Sequence, residues 1–384
     1  MQPVPVLHDS SRLLRLPAFA VCLVVLLALP AGSAAASPAA ASAARLSPGG
    51  CGNVDYAREG FGAGGDPSTP PNPDGPTVVG IGIFVTQLRS IDAVRQQYSF
   101  IGHLRAVWCD PRLAFDPNEF GAPEKVYIGE DALRARSDVW LPGGFPANRA
   151  GSFSTTERVF RVAPDGTVYN NLNLDVELHA GFDLRGFPFD RQQLQLVIES
   201  FRWTADEMKM VPDPSTSGFA TDFSLQEWIV EGVSSEASTV ESASSGNLHS
   251  RFVFSIDVAR RPGFYLWKVM LPILIIVALS WSVFWMTDER LPGRSRITAT
   301  GVLTVVAYQF VIADGLPKIA YLTLLDAMVL ISFSLLSITV LQSMLVARYF
   351  DRDPARAKQI DRTSRWVFPL VYALMLAGCA LVWD

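Results

Sequence analysis

Three patterns follow one another along the chain. From Thr77 to about Val258, apolar residues recur at every second position. Val79, Ile81, Ile83 and Val85 alternate with Gly80, Gly82, Phe84 and Thr86, and Leu194, Leu196 and Ile198 with Gln193, Gln195 and Val197. Phe252, Phe254, Ile256 and Val258 alternate with Arg251, Val253, Ser255 and Asp257 in the same way. A period of two sends successive side chains to opposite faces of a strand. It therefore predicts antiparallel strands with one buried face, broken by turns such as Pro164-Asp165-Gly166. No sustained helical period interrupts them, and roughly 180 residues of this kind suit an immunoglobulin-like β-sandwich.

Beyond about residue 263 the alternation gives way to long apolar runs. Phe264–Met286 carries one charge, Lys268, while Ile297–Ala313, Ala327–Ala347 and Trp366–Trp383 carry none. These runs of 17 to 23 residues are close to the length a helix needs to cross a bilayer core. The expectation is a four-helix membrane bundle within 263–384, with helices at about 264–286, 296–314, 321–347 and 364–383. At the other end, Arg12 and Arg15 precede a 14-residue apolar run, Leu16–Leu29, and small residues at Ala34–Ala36. That order is a secretory signal, so residues 1–36 are expected to be removed. Residues 37–76, rich in Ala, Ser, Pro and Gly, read as a flexible arm that buries too little apolar area to order itself. The sandwich then occupies 77–262.

Charge fixes the orientation of the bundle. The link Arg348–Arg365 holds six basic residues against three acids, and the link around Gly315–Ala320 holds only Lys318. The positive-inside rule puts the first in the cytoplasm, which leaves the sandwich outside, as the signal also requires.

Composition narrows the chemistry. With 18% charged residues and a mean hydropathy of +0.24, the 384-residue chain is too apolar to be wholly soluble. Its net charge of −5 and lack of a basic block exclude nucleic acid as a partner. Four cysteines without Cys-x-x-Cys and four scattered histidines give no metal site. No His-Glu-x-x-His, Gly-x-Ser-x-Gly or phosphate-binding loop appears, so no enzyme and no cofactor is implied. Cys51 and Cys109 are compatible with a disulfide and equally with two free thiols.

The second apolar run has a face of its own. Arg296, Thr300, Leu303, Ala307, Phe310 and Asp314 are spaced by four, three, four, three and four, so they share one side of a helix. The face is charged at both ends and apolar between, over about 27 Å at 1.5 Å per residue.

Five motifs, in order, resemble the pentameric ligand-gated ion channels, the Cys-loop receptors. Phe187-Pro188-Phe189-Asp190-Arg191-Gln192 is similar to that family's FPFD-x-Q signature. Trp108-x-Asp110-x-Arg112-Leu113 looks like its W-x-D strand, and Trp140-Leu141-Pro142 like its W-x-P segment. Arg260-Arg261-Pro262-Gly263-Phe264-Tyr265, with Pro272 beyond, resembles the start of the first membrane helix. Leu303-Thr304-Val305-Val306-Ala307-Tyr308 followed by Leu316-Pro317-Lys318 resembles the pore helix and the link after it. Ala180 and Leu194 stand where eukaryotic members have cysteines, and the long cytoplasmic segment is missing. Both departures point to the bacterial branch.

The resemblance implies a homopentamer in a bacterial plasma membrane. It would have a small-molecule or proton agonist, inorganic ions as cargo and the lipid bilayer as surroundings. Arg296, Thr300, Leu303, Ala307, Phe310 and Asp314 would line the pore. The Pro292-Gly293-Arg294 turn resembles that of anion channels, so Arg294 and Arg296 are expected to set selectivity, against negative charge at Asp288, Glu289 and Asp314. Phe187, Pro188, Phe189, Asp190, Arg260, Pro317 and Lys318 would couple the two domains, with Asp190 beside Arg260; read alone, Asp190 is a surface turn acid. Agonist-site candidates are Trp203, Phe145, His103 and Arg105. Trp203 reads equally as a core residue, and Ser234–Leu248, the segment that would cap the site, has no aromatic. His103 and Arg105 share a strand face that suits an anion, or protonation itself is the signal. The alternatives are a non-conducting receptor or adhesin of the same architecture and a membrane-anchored enzyme.

Overall fold

The computed structural model describes residues 50–51, 68–221, 225–242, 246–286, 291–313, 319–350 and 352–383. The expected signal and most of the arm lie outside the described residues, as do Asp288, Glu289, Asp314, Pro317 and Lys318.

Among the described residues the first half folds into two packed sheets. The larger has the strand order β3 (Lys125–Ile128), β5 (Arg149–Val162), β6 (Thr167–His179), β2 (Gln97–Cys109), β1 (Thr77–Asp92), β8 (Met208–Pro212), with β9 (Gly218–Phe219) also beside β1. The smaller runs β10 (Trp228–Glu241), β11 (Leu248–Arg260), β7 (Arg191–Thr204), β4 (Gly144–Pro146). The alternation predicts the inner faces: Val79, Ile81, Ile83, Val85, Leu194, Leu196, Ile198, Phe252, Phe254, Ile256 and Val258 all sit in one core. Trp108 packs edge-on against Trp140 at 5.9 Å in the same core.

The described part of the arm is held rather than free. Cys51 and Cys109 form a disulfide, and the Cys51 N–H donates to Thr167 Oγ1 at 3.0 Å. The guanidinium of Arg112, paired with the buried Asp110, donates from Nη1 to Thr69 Oγ1 at 3.1 Å. A cross-link and a clamp supply what apolar burial could not.

Four helices follow: α1 (Gly263–Trp285), α2 (Leu291–Ala313), α3 (Leu324–Phe350) and α4 (Pro354–Trp383). By length and composition α1, α3 and α4 are each able to cross a membrane. The 23-residue α2 is long enough but more polar, with Arg294, Arg296, three threonines before Val305 and Gln309. Helix α4 starts ten positions before the expected 364, because much of the basic link continues the helix.

Helix α1 is not uniform. It widens into a π-helical turn at Leu266–Met270 just before Pro272. Proline has no N–H and crowds the carbonyl four residues back, here that of Lys268. That freed carbonyl accepts the hydroxyl of Tyr308 from α2. A second close approach joins the same helices. A Cβ on Gly301 would lie 2.1 Å from Ser280 Oγ, so α2 reaches α1 there only because position 301 is glycine.

Candidate gating junction and pore face

The loop before β7 forms the contact between sandwich and helices. Asp190 ends this loop, and the pairing of Arg191 with Ala259 in β7 and β11 brings it opposite Arg260. Arg260 Nε donates to Asp190 Oδ1 at 2.7 Å and Nη2 to Oδ2 at 3.2 Å, while the Arg260 backbone N–H donates to the Asp190 carbonyl at 3.1 Å. The second oxygen also accepts from Gln192 Nε2 at 2.7 Å. Both side chains are at least 95% buried, which overturns the surface-acid alternative. The guanidinium also lies over Trp228 at 4.1 Å and Phe187 at 4.9 Å.

From this anchor the loop reaches two helices. Phe187, at the end of a cis Phe187–Pro188 peptide, meets the Tyr265 ring edge-on at 4.6 Å and packs with Leu184, Val269, Met270 and Leu325. The N–H groups of Leu324 and Leu325 donate to the carbonyls of Arg185 and Phe187 at 2.9 and 3.2 Å, and Tyr321 Oη accepts from the Leu184 N–H at 3.1 Å. Phe187, Pro188, Asp190 and Arg260 are therefore brought together in the buried junction. Phe189 points to the exterior. Leu184, Gln192, Tyr265, Tyr321 and Leu325 were not named as coupling residues, although Gln192 and Tyr265 lie inside the two quoted motifs.

On α2 the exposed and buried stripes separate as the spacing predicts. Arg296, Thr300, Leu303, Ala307 and Phe310 are all exposed in the single subunit, Leu303 at 70% and Phe310 at 73%. Thr298, Gly301 and Val305 are buried against the other helices, Val305 at 1%. Val305, which the lining face would assign to lipid, is thus a bundle-core residue.

Arg294 departs from expectation. It is 3% exposed, and its guanidinium donates to both carboxylate oxygens of Asp361 on α4, at 2.9 and 2.6 Å. The reason is its phase: it belongs to the stripe of Thr298, Gly301 and Val305 and not to that of Arg296.

One of the agonist-site candidates also changes. Trp203 is buried in the sandwich core, its Nε1–H donating to the Leu141 carbonyl at 2.8 Å and its ring lying 5.7 Å from Trp140. The strand changes phase after Ser200, which turns Trp203 inward, so it is corrected to a core residue. Phe145 is exposed but paired edge-on with Phe201 at 5.5 Å. Phe201 was missed, although the period of two in β7 puts it on the outward face with Glu199. His103 and Arg105 do share the outer face of β2. His103 Nδ1 lies 2.5 Å from Asn173 Oδ1, and the guanidinia of Arg105 and Arg161 lie 5.1 and 5.3 Å from the Tyr169 ring centre. No group of metal-ligating side chains occurs among the described residues.

The neurotransmitter-gated ion-channel ligand-binding domain matches residues 65–262, and the transmembrane region of the same channels matches 269–359. The chain belongs to the neurotransmitter-gated ion-channel family. This is a family of ligand-gated ion channels, pentameric as a rule, and not of enzymes. Among its relatives is a proton-gated ion channel of Gloeobacter violaceus, 26% identical over 315 residues, covering 81% of this chain and 85% of that protein. The gamma-aminobutyric acid receptor subunit rho-1 of Homo sapiens is 28% identical over 284 residues, covering 72% of this chain and 58% of that subunit. A gamma-aminobutyric acid receptor subunit beta-like protein of Drosophila melanogaster is 27% identical over 270 residues. The chain spans 53% of the length of the latter. The junction and the two-sided α2 thus belong to a family in which a sandwich gates a membrane pore.

Proposed function

We propose that five copies of this chain assemble in a bacterial plasma membrane, with the sandwich outside, into a passive channel lined by the exposed face of α2. The observation that carries this reading is the pairing of Leu303 and Phe310, more than two-thirds exposed, with Arg296 and Thr300 on one side of a helix whose opposite side buries Arg294, Thr298, Gly301 and Val305. Apolar residues alone could face lipid, but the arginine and threonine on the same stripe call for water or a polar partner. Flanked by a charge and a hydroxyl, the apolar stretch suits an axial water path with a constriction that closes by dewetting. Arg296 supplies positive charge at one end of this path, which favours anions.

Agonist sensing belongs to the outer face of β2. Trp203, in the core, presents no face to an aromatic cage of the kind a quaternary amine needs. His103 with Asn173 offers a titratable group. Arg105 and Arg161 around Tyr169 offer a carboxylate-binding alternative. In both cases the signal passes to the pore through the Asp190–Arg260 junction, Phe187 and the starts of α1 and α3.

Liposomes carrying purified protein, loaded with a chloride-sensitive dye, test the reading. The expected result is chloride flux on a pH step or on addition of gamma-aminobutyric acid, lost in one arm with His103→Ala and in the other with Arg105→Ala. Intact pentamers with no ion flux under any of these conditions would favour the non-conducting receptor.

A further inference from the structure

Arg294 and Arg296 stand two residues apart on α2 and have opposite fates. Two residues turn a helix by about 200°. With Arg296 on the exposed side, Arg294 falls on the buried one, and there it meets α4 and the residue that follows α1. Its Nη1 and Nη2 donate to the two oxygens of Asp361 on α4 at 2.9 and 2.6 Å, and Nη1 also donates to the Met286 carbonyl, just past the end of α1, at 3.1 Å. Gln342 on α3 donates from Nε2 to Asp361 Oδ1 at 3.0 Å. One carboxylate therefore gathers α2 and α3 onto α4, and the arginine it holds adds the residue just past α1. A fork-to-fork guanidinium–carboxylate pair fixes direction as well as distance. Near it, Arg365 Nε donates to the Phe284 carbonyl at 2.8 Å, so the same end of α4 is tied to the end of α1 directly, and through Arg294 as well.

We propose that Asp361 is a positioning residue for ion selectivity: it holds Arg294 against α4, so that of the two arginines only Arg296 presents its charge to the ion path. The inference rests on the pore reading above. Without Asp361 the guanidinium keeps a carbonyl but no counter-charge in a buried site, a strongly unfavourable state. Arg294 lies one turn from the start of α2, and its long stem lets the charged head move to water at the helix end. There it adds a second positive ring at the same mouth. Helix α4, at the rim of the subunit and away from the ion path, thereby sets the charge of the pore.

Full-length channels recorded in planar bilayers under a potassium chloride gradient test this. Arg296→Gln is expected to move the reversal potential towards cations, and Arg294→Gln to leave it at the wild-type value. Asp361→Asn is expected to raise the anion-to-cation permeability ratio at least about sevenfold, because one unit charge roughly 7 Å from the axis in water favours an anion and disfavours a cation by about 2.7-fold each, and the five copies add. Adding Arg294→Gln to Asp361→Asn should return the wild-type ratio, and Asp361→Glu should retain it. A shift on Arg294→Gln as large as that on Arg296→Gln overturns the proposal, as do conducting Asp361→Asn channels with an unchanged ratio. If Asp361→Asn does not assemble, the exchange of Arg294→Asp with Asp361→Arg puts the cation on α4. Pentamers of the exchanged variant with the wild-type ratio support the proposal; a shifted ratio, or failure to assemble, overturns it. Wild-type pentamers that carry no current refute the pore reading instead, and the clasp then stands on whether the exchange restores the pentamer yield that Asp361→Asn loses.

Discussion

Removing one member of the Asp190–Arg260 pair leaves the other charged and buried, and the two removals are not equivalent. In Arg260→Ala, Asp190 keeps a single side-chain partner, Gln192, and no counter-charge. In Asp190→Ala, Arg260 keeps the faces of Trp228 and Phe187 and the more distant carboxylate of Glu227 at 3.9 Å. Each cation–π contact of a desolvated guanidinium is worth about 1–2 kcal/mol. Breaking a buried pair from one side costs about 3–5 kcal/mol, so Arg260→Ala is placed at the upper end and Asp190→Ala at the lower. For a cooperative unit the size of the sandwich that corresponds to a fall of about 6–20 °C in its unfolding midpoint. The assay is the thermal stability of detergent-solubilised pentamers, followed by size-exclusion chromatography after heating, for wild type, both single variants and the double variant. In the double variant neither charge is stranded, so its loss should undercut the sum of the single losses by about 1–3 kcal/mol. The same cycle on the agonist concentration needed for half-maximal flux should show the same non-additivity, because the pair adjoins Phe187, which touches α1 and α3. Strictly additive losses, or single variants within about 2 °C of wild type, would refute the direct coupling and the magnitude assigned to it.

Leu303→Ser puts a hydroxyl on the exposed face of α2 and should give spontaneous flux or a lower agonist requirement at equal pentamer yield; normal gating would remove Leu303 from the constriction. Trp203→Ala should lower stability by about 3–5 kcal/mol, as for any large buried aromatic, and a folded, stable variant with a shifted agonist response would instead return Trp203 to the ligand site. Cys109→Ser opens a disulfide whose members are 58 residues apart. By loop-closure entropy it should lower stability by about 4 kcal/mol, read as a lower unfolding midpoint that reductant no longer changes. Gly301→Leu should abolish assembly by driving α2 away from Ser280, and pentamers at wild-type yield would show that the close approach is dispensable.

What was legible in the chain follows from how local each determinant is. The β-core was readable because a period of two survives wherever one face is buried, and the eleven inward residues of β1, β7 and β11 named from the alternation are all in the core. The exposed stripe of α2 was readable for the same reason at a period of 3.6. Arg294 was not, although the information was present: it is 200° from Arg296, and grouping two arginines by proximity in sequence ignored the turn of the helix between them. Its partner Asp361 lies 67 residues away on another helix, and no pattern along the chain links them. Trp203 failed for a related reason. Its motif position pointed to a ligand, whereas its parity in β7 departs from that of the residues before it. Ser200 and Trp203 are both buried with Phe201 and Arg202 outside, so the strand changes phase after Ser200 and a motif alignment alone cannot detect the change. The junction stands between these cases. Asp190 and Arg260 are 70 residues apart, but the register of β7 against β11 makes them neighbours, and that register is itself dictated by which face of each strand is apolar. A one-residue slip would move Phe252, Phe254 and Ile256 to the outer face and separate the ion pair in the same step. The burial pattern that holds the sandwich together is therefore also what positions its contact with the membrane helices.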